Sequence, residues 1–525
     1  KALAVMVRSI AEAEKLAVID AETRELLLSD ARPIVIARRR KDSSLAPSIS
    51  PTTQTVGLML SYTPLHELLL REFGGPLVMT SANRSKEPIP FRTERAMEEL
   101  AGLADAILIH DRAVESPCDD SVAVPLAGGP IWLRRSRGHV PRPIRLAQTV
   151  ERSVLACGGH LGNTICVVEG NCAWLSPHIG DLDSPAGLDR FEETVDRWLR
   201  WLALRPELVA HDLHPGYAST RFAMNFGGAR PVAVQHHHAH MAAVLGEHGV
   251  AGPALGLVWD GTGAGTDGTA WGGELLLGDI AAVRRLATFR PILLAGGTNA
   301  IREPWRLALA LLRDAFAGDP PLSAMPLFGL VGYGRIAEVE SLLERPSLCV
   351  PAHGVGRYFD AVGSILLCMP TTSHEGEIAE VLCHSGSGRP APPYAFRVDR
   401  SLSPWQIDLR PGIRQLVRDL ARGVAVATLA DRFHSTMVAS GAAVVQAALP
   451  QLDDSSPCRP SVVLAGGCFQ NPFLVVGFER ALTHACDVLR ARELPPGDGG
   501  LAFGQALVAG TTGFRHRTTD VLVEG

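Results

Sequence analysis

The chain has 525 residues, of which 46% are hydrophobic and 20% charged, and its formal net charge is −5. This composition is typical of a globular protein, and the length indicates at least two domains because a single core rarely grows so large. The slight acidity excludes a global basic field, so no nucleic-acid partner is expected. The ten cysteines form no CxxC pair, and we find neither a secretory signal nor an uncharged run of membrane-spanning length. We therefore expect a cytoplasmic protein without a membrane partner.

The first part of the chain has the pattern of an α/β domain. Residues 2–7 and 33–37 are short apolar runs typical of buried strands, and residues 10–28 between them have helical periodicity. Thr63 is predicted to cap a helix that Pro64 opens.

Small polar and basic side chains follow the ends of the next predicted strands, the first of which is expected at 76–80. Hydroxyl and amide groups on such loops commonly hold ligands. Arginines there can bind a triphosphate, although a solvated rim has the same pattern. The candidates are Ser81, Asn83, Ser121, Arg134 and Arg135.

These motifs and the opening strand resemble the YrdC fold, whose members use ATP to make an acyl-adenylate of a carbamate-type carboxylate. The resemblance implies that the five residues contact ATP, with Mg bound to the nucleotide. The family pairs a KxR motif with SxN. Ser81 and Asn83 supply SxN, whereas the KxR half is expected just before Lys1. We therefore expect a YrdC-like domain at 1–145 that is truncated at its N-terminal side.

Three glycine-rich turns follow buried strands in the rest of the chain, beyond a predicted linker at 140–144. Most such turns are plain hairpins, but their backbone N–H groups can also bind phosphate. The repetition resembles the duplicated actin-like ATPase fold, which binds a nucleotide between two related lobes. We place this domain at 152–525. The turns are residues 157–164, 260–268 and 466–471, after strands predicted at 154–156, 254–259 and 461–465.

Four histidines, at positions 236, 237, 238 and 240, lie where a predicted strand gives way to a helix. A helix would place His236 and His240 on one face, a spacing that suits two ligands of one divalent metal. A helix start with solvated histidines has the same pattern. His237 and His238 lie off that face, so a supporting role and a packing role are both open.

Longer motifs resemble the HypF family of carbamoyltransferases over nearly the whole chain. In that family the YrdC-like module precedes the transferase module, as here, whereas antibiotic O-carbamoyltransferases have the reverse order. The implied fold class is α/β: a YrdC-like domain, then a duplicated actin-like (ASKHA, RNase H-like) domain. The acylphosphatase and CxxC regions that begin full members are not in this sequence. The motifs are residues 177–181, 211–215, 236–240, 260–263, 302–306 and 497–500.

The resemblance also implies a site in the transferase domain. The metal ligands and catalytic residues would be His236, His240, Asp260 and Asp498, with iron and zinc both suitable. By spacing alone, Asp498 would be an ordinary turn residue. The implied nucleotide contacts are Asp260, Gly261, Thr262, Gly263, Asp360, Gly376, Gly467 and Asn471.

HypF proteins form carbamoyl-adenylate from ATP and carbamate, which derives from carbamoyl phosphate. They transfer the carbamoyl group to the C-terminal cysteine of HypE, for the cyanide ligands of nickel–iron hydrogenase. Two segments depart from the family pattern: residues 349–356 replace a Thr/Ser-rich turn, and His374 replaces a common aromatic residue. A small-molecule hydroxyl acceptor therefore remains an alternative, as does a nucleotide-binding protein without transfer activity.

Overall fold

The computed structural model describes residues 3–84, 87–452 and 459–511. It divides into two compact units, one running to Val234 and resuming at Ala491, the other spanning Gln235–Arg490. Both units combine helices with sheets, which agrees with the predicted α/β class. No helix in the described ranges is long and apolar enough to span a membrane. The nine cysteines in these ranges are free thiols; Cys458 lies outside them.

The first unit begins with a six-stranded mixed sheet whose strand order is β4-β1-β3-β2-β5-β6. Its core packs strand residues such as Val5, Val35 and Leu58 against the helix residues Ala13 and Leu27. The elements are β1 (Ala4–Val7), α1 (Ile10–Leu16), α2 (Ala21–Leu28), β2 (Ile34–Arg38), β3 (Thr55–Leu60), α3 (Pro64–Phe73), β4 (Leu77–Val78), α4 (Thr93–Glu99), β5 (Val122–Val124) and β6 (Ile131–Arg134).

The single helix predicted over 10–28 is wrong, since two helices occupy this stretch. The side chain of Ser9 caps α1, and the Asp20 carboxylate accepts a hydrogen bond from the Thr23 N–H to cap α2. Between them, Ala17 forms a β-bridge with Arg39. The apolar periodicity runs across the break because both helices pack on one core.

Other predicted elements of this region are present, but some begin or end at different residues. Thr63 caps α3 as predicted, its Oγ1 accepting from the His66 N–H at 3.2 Å. The strand predicted at 33–37 lies one residue later, as β2, and the one predicted at 76–80 shrinks to the two residues of β4. Within the strand predicted at 2–7, Ala2 lies outside the described residues.

A second sheet in the first unit has the order β10-β9-β7-β8. The predicted linker at 140–144 ends inside this sheet, because β7 starts at Ile144. β7 pairs with β8 up to Ala156, and the register of this pairing shifts twice along the strand. The strand predicted at 154–156 is therefore the end of a longer one. The domain limits 1–145 and 152–525 stay a prediction. The elements are β7 (Ile144–Ala156), β8 (Cys166–Leu175), α5 (Pro185–Trp201), β9 (Leu208–Asp212), α6 (Ala218–Asn225) and β10 (Arg230–Val234).

The second unit is built on a nine-stranded sheet. Its strands are β11 (Ala254–Ala264), β12 (Ala270–Gly278), β13 (Val283–Phe289), β14 (Ile292–Leu294), β15 (Val350–Ala352), β16 (Arg397–Asp399), β17 (Trp405–Asp408), β18 (Ser461–Ala465) and β19 (Asp487–Arg490). Its helices are α7 (His236–His248), α8 (Asn299–Arg302), α9 (Trp305–Ala315), α10 (Pro326–Val331), α11 (Tyr333–Leu343), α12 (Val355–Leu367), α13 (Glu377–Ser385), α14 (Arg410–Ala421), α15 (Val426–Ala448) and α16 (Pro472–Leu482).

Within this sheet, β11 lies between its hairpin partner β12 and the parallel strand β18. The strand predicted at Ser461–Ala465 is thereby confirmed. The strand predicted at 254–259 continues to Ala264, so the first half of the turn predicted at 260–268 is strand instead. Trp259 of β11 is fully buried, with ring centroids 5.4 Å from Phe289 and 5.1 Å from Phe478. This aromatic core fixes the middle of β11 directly before residues 260–263, across which the pairing with β12 shifts register.

The last described helix, α17 (Leu501–Thr511), returns the chain to the first unit and packs on β7, β8 and β9. Its buried Gln505 accepts a hydrogen bond from the Gly158 N–H at 2.9 Å. A segment distant in sequence therefore supports the first glycine-rich turn.

A buried ion pair joins β12 to β13 in the second unit. The Glu274 carboxylate is fully buried, and it accepts hydrogen bonds from Arg285 and, at 3.2 Å, from the Thr288 hydroxyl. The Arg285 guanidinium also lies 4.2 Å from the Trp271 ring centroid. Both charges are thus satisfied within the unit.

Glu274→Ala should destabilise this part of the sheet by up to about 3–5 kcal/mol, because it leaves the buried Arg285 with only the partly exposed Asp267 as a counterion. Hydrogen–deuterium exchange of β11–β13 peptides measures the local free energy of opening. The control is Asp487→Ala, which removes the carboxylate of a half-exposed pair with Arg459 and should change the same quantity by less than about 1 kcal/mol. Equal effects of the two substitutions would contradict this account.

Candidate metal and nucleotide site

The histidine run opens α7. The Gln235 side chain caps the helix by accepting from the His238 N–H at 2.9 Å, so His236 is the first helical residue. His236 and His240 lie one turn apart on the same face, as predicted, and their Nε2 atoms are 3.2 Å apart. Both side chains are buried, which excludes the alternative of a solvated helix start.

The Asp260 carboxylate faces these two imidazoles. Its Oδ2 lies 3.1 Å from His240 Nε2 and 3.8 Å from His236 Nε2. Its Oδ1 accepts from the Gly261 N–H at 2.7 Å. Burial alone would raise the pKa of Asp260, but hydrogen bonds from His236 and His240 hold that pKa well below its usual range. The carboxylate is therefore ionised at neutral pH.

Three potential ligand atoms, two imidazole nitrogens and one carboxylate oxygen, thus converge. Four-coordinate zinc with bonds of about 2.0–2.1 Å separates its ligands by about 3.4 Å, close to the spacing here. The donor set fits zinc or iron, and a metal bound there would act as a Lewis acid. Asp498 belongs to the first unit, where it begins a 3₁₀ turn at Asp498–Gly500. Its place among the ligands stays a prediction.

His237 and His238 each have a packing partner. His237 Nδ1 lies 3.1 Å from Gln235 Nε2, and a Cβ added at Gly263 would be 2.6 Å from His237 Cε1. His238 Nε2 contacts the Asp279 carbonyl at 3.0 Å. Burial lowers the pKa of both imidazoles, so both are neutral. These contacts favour the supporting role, in which His237 packs α7 on β11 and His238 bonds α7 to the segment after β12.

Residues 260–263, which we call the Asp260 turn, form the irregular part of β11 where its pairing with β12 shifts register. Glycines approach this segment closely. A Cβ at Gly354 would be 2.0 Å from the Gly261 carbonyl oxygen, and one at Gly356 would be 2.8 Å from Gly261 Cα. A Cβ at Gly467 would be 3.0 Å from Asp260 Oδ1. Only glycine lets these segments meet, which brings the start of α12 and the turn after β18 against the Asp260 turn.

The other predicted nucleotide contacts lie on the same unit. Asp360 on α12 is buried, and burial raises its pKa to about 6. Gly376, at φ +81°, precedes α13. Asn471 caps α16 through the Phe473 N–H, and its Nδ2 lies 3.0 Å from His434 Nε2. Thr262 is half-buried in the Asp260 turn. Their contacts with a nucleotide stay a prediction.

Side chains of the glycine-rich turn at 157–164 in the first unit stabilise its conformation. Asn163 Nδ2 donates to the carbonyls of Cys157 at 2.9 Å and Gly159 at 2.6 Å, and Thr164 Oγ1 donates to the Gly499 carbonyl. A Cβ at Gly159 would be 2.9 Å from Asp498 Oδ2. The turn and the Asp498 segment therefore form one packed element.

In the part of the first unit that is built on the six-stranded sheet, Ser81 Oγ donates to Asn83 Oδ1 at 2.6 Å, so the SxN pair is preformed. Ser121 is buried and bridges the Ser136 N–H and the Arg137 carbonyl, each at 2.9 Å. Arg135 is 2% exposed and donates towards backbone carbonyls, such as that of His139 at 3.4 Å. These contacts give Ser121 and Arg135 a structural role, and their contact with ATP stays a prediction.

Arg134 is more accessible than Arg135. It is about one third exposed and lies 3.8 Å from the Asp119 carboxylate. Of the two arginines, it is the one whose guanidinium an external phosphate can reach without disturbing the fold. This makes it the better test of the ATP site predicted in this module.

Comparison with known proteins now identifies the family. Three family models match: "Telomere recombination" at residues 1–136, "HypF Kae1-like domain" at 149–247 and "Carbamoyltransferase, Kae1-like Domain, second subdomain" at 256–505. Carbamoyltransferase HypF2 of Cupriavidus necator is 39% identical over 97% of this chain, and Carbamoyltransferase HypF of Synechocystis sp. is 35% identical over 92%. A crystal structure of full-length HypF in the phosphate- and nucleotide-bound form matches with a TM-score of 0.91 and 33% identity over 97% of this chain.

The chain belongs to the HypF carbamoyltransferase family. It spans 67% of the C. necator protein, 63% of the Synechocystis protein and 66% of the crystallised HypF. The predicted fold class is confirmed, with a YrdC-like domain and a Kae1-like domain of the actin-like type.

Two residues of this HypF-type site escaped the sequence analysis. Arg357 and Glu375 form an ion pair of 2.9 Å, and a Cβ at Gly261 would lie within 3 Å of both side chains. Arg357 precedes Asp360 by one helical turn, and Glu375 adjoins Gly376. The sequence offered one signal for these two residues, since each lies near a predicted nucleotide contact. Their pairing with each other depends on tertiary structure.

His236→Ala and His240→Ala should each abolish stoichiometric binding of zinc or ferrous iron. Loss of a direct ligand should weaken binding by at least about 100-fold, because even outer-shell partners change metal affinity by about 10–100-fold. Metal analysis after chelation, reloading and dialysis measures the content. His484→Ala, which replaces an exposed histidine, is the control. Full metal content in both test variants would refute the site.

Gly354→Ala should weaken AMP binding by about 10-fold, because its Cβ would overlap the Gly261 carbonyl oxygen and displace the Asp260 turn. Titration calorimetry measures the affinity. Gly252→Ala, where an added Cβ meets nothing within 4 Å, should leave it unchanged. Unaltered AMP binding by Gly354→Ala would show that the turn does not form part of the nucleotide site.

Proposed function

We propose that this chain is an ATP-dependent carbamoyltransferase that acts through carbamoyl-adenylate and passes the carbamoyl group to the C-terminal cysteine of HypE. The observation that carries the proposal is Asp260, which joins a metal-ligand set to a phosphate-binding type of turn. One carboxylate oxygen faces His236 and His240, and the other fixes the Gly261 N–H. A site with both features suits a substrate that has a phosphate beside a reactive carbonyl.

The first step belongs to the YrdC-like module. A carbamate oxygen attacks the α-phosphate of ATP, a new oxygen–phosphorus bond forms, and pyrophosphate leaves. The Ser81–Asn83 pair and Arg134 are the groups we assign to ATP there, with Mg on the phosphates. Carbamoyl phosphate is the proposed source of carbamate, as the family resemblance implies.

The second step belongs to the Kae1-like module. The acceptor thiolate attacks the carbamoyl carbon, the bond between this carbon and the AMP phosphate oxygen breaks, and AMP leaves with the electron pair. In this module His236, His240 and Asp260 would hold zinc or iron, which polarises the carbonyl or phosphate as a Lewis acid. The Asp260 turn binds the phosphate through backbone N–H groups, and the neutral His237 and His238 keep α7 in place.

The labile adenylate explains why the two activities are expected in one chain. Carbamoyl-adenylate hydrolyses readily in bulk water, so its formation and its use have to be coupled. No thiol in the described part of this site is suited to an acyl-enzyme intermediate, because burial raises the pKa of Cys468 well above its usual value. Direct transfer to the acceptor is therefore the proposed route.

The decisive experiment incubates the protein with ATP, carbamoyl phosphate and a peptide with the C-terminal sequence of HypE. We expect the peptide to gain one carbamoyl group by mass spectrometry, and AMP and pyrophosphate to appear in equal amounts. A parallel reaction with ammonium bicarbonate supplies carbamate directly, which tests transfer independently of carbamoyl phosphate cleavage. The peptide with cysteine replaced by serine should gain nothing, because the thiolate is the stronger nucleophile.

Asp260→Asn should lower transfer by on the order of 100-fold while leaving ATP–pyrophosphate exchange unchanged, because Asp260 acts only in the second step. No modification of the peptide, together with carbamoylation of a hydroxylated metabolite, would replace the HypE acceptor with a small molecule. Absence of both exchange and transfer would refute the enzymatic function.

A further inference from the structure

Arg357 is a buried cation in the second unit. It lies in the first turn of α12, and its side chain is 2% exposed. The guanidinium Nη2 lies 2.9 Å from Glu375 Oε1 and 3.1 Å from Asp360 Oδ2. One of its three nitrogens therefore serves both carboxylates.

The other two nitrogens of this guanidinium are unused. Arg357 Nε and Nη1 are buried and have no hydrogen-bond partner among the described residues. A buried N–H without an acceptor is costly, and native proteins keep few such groups without a reason. An oxygen-rich ligand that accepts from Nη1 would remove part of this cost.

The guanidinium lies directly on the Asp260 turn. A Cβ at Gly261 would be 2.8 Å from Arg357 Nη2 and 2.9 Å from Glu375 Oε1. The close approach of Gly356 to Gly261 Cα fixes the start of α12 on the same turn. Whatever the backbone N–H groups of this turn bind is consequently within reach of Arg357.

An anionic ligand of the Asp260 turn needs a nearby cation, because carboxyl groups surround the turn. Asp260, Asp360 and Glu375 bring three carboxyl groups to this region, and a phosphate would be repelled by those that are ionised. A guanidinium neutralises phosphate charge and matches its oxygens with a planar fork of donors. Arg357 is positioned to provide both.

We infer that Arg357 is a substrate-binding residue that donates hydrogen bonds to the phosphate of the adenylate from Nη1, and from Nη2 when Glu375 withdraws. Glu375 is its counterion when no nucleotide is bound. The Glu375 side chain is 37% exposed, whereas Asp360 is buried, so Glu375 is the carboxylate that can withdraw into solvent. This inference rests on the proposed function, because it takes an adenylate as the ligand of the Asp260 turn.

The test compares AMP with adenosine as ligands of the 525-residue chain, because adenosine lacks the phosphate. For Arg357→Gln we expect AMP to bind about 10- to 100-fold more weakly and adenosine to bind as before, since only the phosphate loses its charge-assisted hydrogen bonds. Titration calorimetry measures both affinities. Arg357→Lys keeps the positive charge but not the planar fork of donors, so it should weaken AMP binding by an intermediate factor and leave adenosine binding unchanged. This variant tests the inference if Arg357→Gln misfolds.

Two further variants serve as controls. Arg335→Gln replaces a half-exposed arginine that pairs with Glu303 in the same unit, and it should leave both affinities unchanged. Glu375→Gln removes the competing carboxylate from Arg357 and should leave AMP binding equal or tighter. Weaker AMP binding by Glu375→Gln would overturn its role as a displaceable counterion.

The outcomes separate this inference from the proposed function. If Arg357→Gln and Arg357→Lys weaken the binding of AMP and adenosine equally, or change neither affinity, Arg357 is only a structural link between α12 and Glu375. The inference then fails, and the proposed function stands. If the unsubstituted chain binds no AMP, the proposed function fails, and the phosphate-binding role of Arg357 with it.

Discussion

The site in the second unit depends on a single carboxylate that faces two ways. Asp260 Oδ2 meets the imidazoles of α7, and Asp260 Oδ1 holds the Gly261 N–H. The histidine pair and the Asp260 turn are therefore one structure, and a shift of either moves the other. Burial strengthens these contacts, because polar interactions are stronger in the low-dielectric interior than in water.

The surrounding fold keeps Asp260 in this position. Trp259, the preceding residue, is locked into an aromatic core with Phe289 and Phe478. On the other side, Gly354 and Gly356 let the start of α12 approach to distances that a side chain would block, and Gly467 lies close to Asp260 Oδ1. This segment of β11 and its glycine neighbours therefore hold Asp260 in a fixed geometry.

Several residues that stood out in the sequence have structural roles as well. Ser121 and Arg135 bond to backbone groups within their own module, and His238 contacts the Asp279 carbonyl. Polar residues at strand ends commonly act in this way, because buried backbone groups need partners as much as ligands do. Composition and spacing could not separate the two uses, whereas burial and hydrogen-bond partners distinguish them.

The sequence by itself determined the α/β class, the strands at 254–259 and 461–465 and the shared face of His236 and His240, while the two-module architecture came from the family resemblance. These follow from local patterns: apolar periodicity, turn residues and the four-residue spacing of a helix. Only the tertiary structure decided that helix 10–28 breaks at the Asp20 cap and that β7 begins at Ile144. It alone brought Asp260 to the histidines and paired Arg357 with Glu375. Those contacts join residues 18 to 24 positions apart, and such distances are set by how β11, α7 and α12 pack rather than by any local preference.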